Sequence, residues 1–163
     1  MKTKPRVKIC CVSSIEEAQL AIRYGASAIG LVSAMPSGPG PISEELIAEI
    51  SINVPPGVGT FLLTSKQTAE EVIDQQRRTK VNTLQLVDAF PIDGYSMLRT
   101  ALPGIRIVQV IHVTDLHSLN EAVGVAEYVD ALLLDSGNPK LKVKQLGGTG
   151  RVHDWKVSKK IRE

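Results

Sequence analysis

Short apolar runs rich in β-branched residues alternate with amphipathic segments along the whole chain. Runs of this kind are typical of strands, whereas apolar positions three or four residues apart are typical of helices. The pattern predicts six strands, at residues 7–12, 28–32, 58–63, 83–87, 105–113 and 131–134. A helix follows each strand, and the six helices begin near residues 15, 44, 68, 94, 115 and 153.

Several helix starts carry a recognisable signal. Ser13-Ser14 and Ser43 stand where an N-cap residue is favoured, because a hydroxyl there accepts a hydrogen bond from a free backbone amide. The fifth helix is predicted to open at Asp115 and to bury Leu116, Leu119 and Val123.

Strand and helix alternate with no hairpin signal, which predicts a parallel sheet joined by right-handed crossovers. Two α/β architectures fit this alternation, an open doubly wound sheet and a (β/α)8 TIM barrel. The repeat of roughly 25 to 30 residues is the pace of a barrel, in which eight units span about 250 residues. With about six units and no linker, the 163 residues are predicted to form a single, incomplete TIM-barrel domain over 1–163.

Composition and charge argue against several classes of partner and site. A formal charge of +2 gives no reason to expect a nucleic-acid or anionic-membrane partner. No apolar run is long enough to span a bilayer, and the N-terminus lacks the apolar core of a signal peptide. We therefore expect a soluble cytoplasmic protein. No His, Cys and carboxylate set has the spacing of a metal site, and the adjacent Cys10 and Cys11 cannot form a disulfide framework.

Chemistry in both architectures gathers at the C-terminal ends of the strands. Alternation along the first strand places Lys8 and Cys10 on one face and Cys11 on the other. Cys10 is either a small buried hydrophobe or a thiol able to act as a base or nucleophile. Asp135 directly follows the sixth strand, where a carboxylate either caps the next turn or serves as a catalytic acid.

Three further features allow two interpretations each. Lys8 faces the interior, where it could pair with a carboxylate or form a Schiff base. The segment 147–150, Gly-Gly-Thr-Gly, could cradle an anion or be a plain mobile loop. His112 ends the fifth strand in isolation, and a lone histidine is more often structural than a ligand.

Taken in order along the chain, these short sequence motifs resemble those of the phosphoribosylanthranilate isomerase family. Residues 8–10 are similar to its opening Lys-Ile-Cys, residues 24–30 to the entry of its second strand, and Gln85-Leu86 to the start of its fourth-strand motif. Residues 130–136 are similar to its sixth strand. The Gly-Gly-Thr-Gly segment and Asp154-Trp155 keep its spacing.

The resemblance implies a (β/α)8 barrel and an Amadori rearrangement of N-(5-phosphoribosyl)anthranilate in tryptophan biosynthesis. It implies Cys10 as the general base and Asp135 as the general acid. No metal or coenzyme is implied, because the intermediate iminium is itself an electron sink. Residues expected to contact the phosphorylated sugar are Lys8, Gln85, Gly147, Gly148, Thr149 and Gly150.

The sequence also departs from the family pattern. Cys11 replaces a glycine, residues 38–41 offer no cation for the anthranilate carboxylate, and Val87-Asp88 replaces His-Gly. His153 stands where the family has phenylalanine, and Asp88 is expected to repel an anionic substrate. The last two strand–helix units are not found, which leaves two alternatives for the open barrel edges. Either a homodimer or another partner covers them, or the sequence is a piece of a longer chain. A relative without this activity, acting as an interaction module or on another phosphosugar, is the alternative hypothesis.

Overall fold

The computed structural model describes residues 5–163. Strand and helix alternate throughout this range. The strands are β1 (Lys8–Ile9), β2 (Ala28–Val32), β3 (Gly59–Thr64), β4 (Thr83–Leu86), β5 (Arg106–His112) and β6 (Ala131–Asp135). The helices are α1 (Ile15–Arg23), α2 (Glu44–Ile52), α3 (Ala69–Thr79), α4 (Ile92–Ala101), α5 (His117–Ala126) and α6 (Trp155–Arg162).

The strands form one parallel sheet in the order β1-β2-β3-β4-β5-β6. A doubly wound sheet reverses its strand order at a switch point, so consecutive order identifies the barrel type of winding. Among the described residues β1 pairs only with β2, and β6 pairs only with β5. The sheet is therefore an open barrel of six units, as the repeat length predicts.

Side-chain alternation along the strands divides the core into two layers. The outer layer lies between the sheet and the helices and includes Ile29, Leu31, Leu62, Leu84, Leu86, Ile107 and Ile111. A smaller inner layer lies on the other face of the sheet and contains Val32, Leu63, Val87, Val110 and Leu146. The inner layer is the floor on which the candidate site is built.

The predicted caps of two helices are confirmed. The Ser14 hydroxyl accepts from the Glu17 amide at 3.1 Å, and the Ser43 hydroxyl accepts from the Leu46 amide at 3.2 Å. Each cap satisfies an amide that the first helical turn leaves free. The two helices therefore begin where the sequence indicates.

The first strand is shorter than predicted. Residues 7–12 were expected to be extended, but β1 covers only Lys8–Ile9 because Cys11 adopts a left-handed φ of 60°. The Val12 amide still donates to the Gly30 carbonyl at 3.2 Å, so the chain stays beside β2 after the turn.

The buried face of α5 is also not the predicted one. The helix begins at His117, and its buried positions are Ser118, Ala122 and Val125. Leu116 and Val123 are exposed instead. The cause is Ser118, whose hydroxyl donates to the His112 carbonyl at 3.1 Å and thereby turns that face towards the sheet.

Candidate active site

A cavity of about 270 Å³ opens on the inner face of the sheet at the C-terminal ends of the strands. Its polar wall includes Lys8, Gln85 and Asp135, and Gly147 and Gly148 cover one side. The floor is apolar and consists mainly of Val32, Leu63, Val87, Val110, Leu133 and Leu146. An apolar cavity with a few convergent polar groups is the usual form of a small-molecule site.

Lys8 is held at the base of this cavity by neighbours on two strands. Its ammonium donates to Oε1 of Gln85 at 2.7 Å and lies 5.1 Å from the centre of the Phe61 ring. Burial lowers the pKa of Lys8, partly offset by the nearby thiols. The amide partner means that Lys8 does not pair with a carboxylate inside the barrel, one of the two alternatives left open by the sequence.

Cys10 and Cys11 both line the cavity, contrary to the prediction that they face opposite sides. Strand alternation ends at Ile9, and the left-handed turn at Cys11 brings its side chain back to the rim. The Lys8 ammonium lies 3.9 Å from Sγ of Cys10. The thiol that the sequence offered as a base or nucleophile therefore lies beside a cation.

Cys11 contacts the loop that follows β2. Its thiol donates to the Pro39 carbonyl at 3.6 Å, and desolvation followed by the adjacent Cys10 raises the pKa of Cys11. A Cβ on Gly40 would lie 2.6 Å from Cβ of Cys11. The turn at Cys11 and the glycine in the facing loop therefore fit each other.

Asp135 stands at the end of β6, across the cavity from β1. Its Oδ1 accepts from the Gly137 amide at 2.6 Å. The neighbouring His112 ring, and then that amide, hold the pKa of Asp135 below its ordinary value despite partial burial. A Cβ on Gly147 would make an ordinary contact with Oδ2 at 3.6 Å, so it is the φ of 142° that favours glycine at this position.

His112 is not isolated, as its position in the sequence suggested. Its Nδ1 lies 3.8 Å from Oδ1 of Asp135, and its Nε2 lies 2.9 Å from the Val87 carbonyl. Burial lowers the pKa of His112, but Asp135 and the Val87 carbonyl together raise it above its ordinary value. Only the pairing of β5 with β6 reveals this neighbour, and sequence reasoning therefore missed it.

The loop between β6 and α6 is fixed over the cavity through Lys144. Its ammonium forms an ion pair with the buried Asp88, and its carbonyl accepts from the Ser37 hydroxyl at 2.6 Å. Asp88 is absent from the cavity wall. The expectation that Asp88 repels an anionic substrate is therefore wrong, since its charge is paired outside the cavity.

The Gly-Gly-Thr-Gly segment contributes to the cavity with only half of its residues. Gly147 and Gly148 line the wall, whereas Thr149 and Gly150 do not. The Thr149 hydroxyl lies 3.0 Å from the Ser136 hydroxyl, which closes the loop on itself. Of the residues expected to contact substrate, Lys8, Gln85, Gly147 and Gly148 are thus brought together with Cys10 and Asp135.

Residues 5–163 contain neither a recognisable metal site nor a membrane-spanning helix. No group of three or more His, Cys, Asp or Glu side chains in this range is arranged to hold a metal ion. No helix within the same residues is long and apolar enough to cross a membrane. What the cavity offers is a carboxyl group at the end of β6 and a thiol just after β1, a pair of groups suited to proton transfer.

Comparison with known proteins places this geometry in a family. Residues 7–163 match the family model of N-(5'-phosphoribosyl)anthranilate (PRA) isomerase. The N-(5'-phosphoribosyl)anthranilate isomerase 2 of Methanosarcina mazei is 32% identical over 157 residues, which cover 96% of this chain and 69% of that protein. The corresponding protein of Methanocella arvoryzae is 31% identical and is covered to 71% of its length.

Solved structures agree. Phosphoribosyl anthranilate isomerase from Thermotoga maritima superimposes with a TM-score of 0.75 at 27% identity, covering 94% of this chain and 70% of that one. The Thermus thermophilus protein superimposes with a TM-score of 0.77 at 24% identity, covering 97% and 72%. On the family match and the level of identity to curated relatives, the chain belongs to the N-(5'-phosphoribosyl)anthranilate isomerase family.

Proposed function

We propose that this protein converts N-(5-phosphoribosyl)anthranilate to 1-(2-carboxyphenylamino)-1-deoxyribulose 5-phosphate, a step of tryptophan biosynthesis in the cytoplasm. The observation that carries the proposal is that Cys10 and Asp135 line the same cavity, at the same rim of the sheet. A sugar ring placed between them would have a proton donor on one side and a proton acceptor on the other. An aldose–ketose rearrangement requires that arrangement.

In the first step Asp135 donates a proton to the ribose ring oxygen. The bond from C1 to that oxygen breaks, and the lone pair of the anthranilate nitrogen forms a C1–N double bond. The ring oxygen leaves as a hydroxyl, and the open chain is now an iminium. Both carboxylate oxygens of Asp135 lie beside Gly147, which lines the cavity.

In the second step the Cys10 thiolate removes the proton from C2. The electrons of the C2–H bond form a C1–C2 double bond and return the iminium pair to nitrogen, giving an enolamine. Movement of the C2 hydroxyl proton to C1 then gives the ketone. One proton enters at the ring oxygen and one leaves from C2, so the reaction balances without an oxidant.

Lys8 and Gln85 support this chemistry from the base of the cavity. The Lys8 ammonium is 3.9 Å from Cys10 and 2.7 Å from Gln85, which fixes its position. An ammonium there attracts the anionic substrate. The chain needs no coenzyme for the proposed steps, since the iminium accepts the electrons of the C–H bond.

We also propose that the two free edges of the sheet are covered in the working molecule, by a second copy or by another partner. Ile9 of β1 and the nearby Leu20 and Tyr24 expose apolar surface at one edge. A groove beside β6, bounded by Leu134 and Trp155, exposes apolar surface at the other. Open edges with apolar surface favour pairing with further strands.

The test is rescue of a bacterium that requires tryptophan because it lacks its own PRA isomerase. The gene for this protein should restore growth, and the same gene with Asp135→Asn should not. The purified protein should convert the PRA substrate to the ketose. No growth and no ketose with well-folded wild-type protein would contradict the proposal.

One observation favours the alternative of another phosphosugar substrate. Among the described residues that line the cavity, Lys8 is the single basic side chain, so no arginine is present to bind a carboxylate. Turnover of a phosphosugar that lacks the anthranilate group, combined with no turnover of the PRA substrate, would support that alternative.

A further inference from the structure

His112 lies directly behind Asp135 as seen from the cavity. The register of β5 and β6 pairs the two residues, and both side chains are on the inner face of the sheet. His112 is 6% exposed and does not line the cavity, whereas Asp135 does. Asp135 therefore stands between the proposed substrate and a buried imidazole.

The hydrogen bonds of the ring fix where its protons are. Nε2 lies 2.9 Å from the Val87 carbonyl oxygen, which can only accept, so Nε2 carries a hydrogen. Nδ1 is buried and has no hydrogen-bond partner within residues 5–163. Oδ1 of Asp135 lies 3.8 Å from it.

This arrangement calls for one proton between the two residues. If Nδ1 and the carboxyl group both lacked a proton, two lone pairs would face each other in a buried place, which is unfavourable. A proton on either atom removes the conflict and lets it donate to the other. The 3.8 Å separation is long for a direct hydrogen bond, but such catalytic contacts often shorten when substrate binds.

We propose that His112 and Asp135 share one proton, and that His112 is a positioning residue that supplies this proton to Asp135 when it acts as the general acid. The catalytic part of the inference rests on the proposed function. In the step concerned the N–H bond at Nδ1 breaks, this proton passes to the Asp135 carboxylate, and Asp135 delivers one proton to the ring oxygen and is ionised again. His112 is left neutral and takes up a proton from water after the product leaves.

The surroundings isolate this pair. The backbone passes so close at Gly137 that a Cβ there would lie 2.6 Å from Nδ1 of His112. Oδ1 is held by the Gly137 amide at 2.6 Å. The proton therefore lies between Nδ1 of His112 and Oδ1 of Asp135, next to the Gly137 backbone.

Charges around the pair favour the form in which His112 is protonated and Asp135 is ionised. The pKa of His112 is raised and that of Asp135 is lowered, each chiefly through the other against the effect of burial. At a pH between the two values the pair holds one proton. Other titratable groups face the pair from three segments: α5 and the residues just before it, the loop after β6, and the residues before α6. They are Asp115, His117, Glu121, Lys140 and His153.

The shared proton is tested by NMR titration of the histidine rings, which needs no activity. The His112 signal is identified as the one that is absent from the spectrum of His112→Gln. In the wild type its titration midpoint should lie above the ordinary histidine value of 6.5. In Asp135→Asn its midpoint should fall by at least one pH unit, because the carboxylate charge is gone. A wild-type midpoint below 6.5, or a midpoint that Asp135→Asn leaves unchanged, would overturn the inference.

The catalytic role is tested by the pH profile of kcat for the PRA substrate. In His112→Gln the alkaline limb should move to lower pH, because Asp135 must then hold its own proton. His117→Gln changes an exposed histidine of α5 that is not among the groups that shift the pKa of either residue, so it should leave the profile in place. If His112→Gln lowers kcat by the same factor at every pH, the catalytic role of His112 is overturned. If the wild type does not turn over the PRA substrate, only the proposed function is contradicted. The NMR titration would still show whether His112 and Asp135 share a proton.

Discussion

At the scale of single residues, the site residues that could be predicted from the sequence are those at or near the end of a strand. Cys10, Gln85 and Asp135 were predicted at the site because parallel strands place their C-terminal ends at one rim. The side-chain direction of Cys11 could not be predicted, because it depends on a φ of 60° that the sequence does not signal. His112 was missed because its neighbour is 23 positions away in the chain and is set by the register of two strands.

Cys11 adopts a backbone conformation that suits glycine better than a branched residue. We predict that Cys11→Gly changes the free energy of unfolding by less than about 0.5 kcal/mol, because relief of strain offsets greater freedom in the unfolded chain. Cys11→Val should lower it by more than about 1 kcal/mol, because a β-branched side chain at positive φ is strained. Urea denaturation measures both, and equal stability of the two variants would contradict the interpretation.

The His112–Asp135 pair should make stability depend on pH. Because the folded-state pKa of His112 is raised, its contribution is fully present below its ordinary 6.5 and is lost as the pH rises through the folded value. Because that of Asp135 is lowered, its contribution is present above its ordinary 3.8 and is lost as the pH falls through the folded value.

The prediction is that the wild type exceeds His112→Gln in free energy of unfolding most between about pH 4 and 6.5, the ordinary values of the two groups. The difference should shrink on either side of that window. Denaturation across a pH series measures it, with His117→Gln as the control. A difference independent of pH would refute the coupling.

At the scale of elements, the existence and order of all six units could be predicted from periodicity and capping. The buried face of α5 could not, because the hydrogen bond from Ser118 to the His112 carbonyl decides which side of that helix meets the sheet. The role of the loop between β6 and α6 was also hidden. Its attachment depends on Lys144 reaching Asp88, and the two are 56 positions apart in the chain.

We predict that Lys144→Met loosens this loop. The change leaves the buried Asp88 carboxylate unpaired, so the free energy of unfolding should fall by about 1–2 kcal/mol. KM for the PRA substrate should rise more than kcat falls, because Gly147 and Gly148 belong to the same loop. Denaturation and steady-state kinetics measure the two effects.

Lys142→Met is the matched control, because it removes an exposed lysine two positions away in the same loop. It should change neither stability nor KM. If Lys144→Met behaves like this control, the ion pair does not hold the loop.

At the scale of the whole molecule, the consecutive order of the strands decides between the two architectures that the sequence left open. Alternation of strand and helix is common to both, and only the pairing of strands distinguishes them. The same order places the polar ends of β1, β4 and β6 around one apolar floor. It also leaves an edge at β1 and another at β6 among the described residues.

We predict that the 163-residue chain associates through these edges in solution. Tyr24→Glu and Trp155→Glu should weaken association, because both side chains expose apolar surface beside an edge. Ile52→Glu is the matched control, since Ile52 on α2 is 70% exposed and Trp155 is 69% exposed. Analytical ultracentrifugation measures the effect, and a stable monomer at all concentrations would refute the prediction.

The assignment of Cys10 as base and Asp135 as acid is tested most directly by the kcat/KM of single variants for the PRA substrate. Cys10→Ala and Asp135→Asn should each lose about 10² to 10⁴ in kcat/KM, the usual contribution of a positioned acid or base. Cys11→Ala, which alters the neighbouring thiol on the same wall, should stay within a few-fold of the wild type. Near-wild-type turnover in Cys10→Ala and Asp135→Asn would contradict the account.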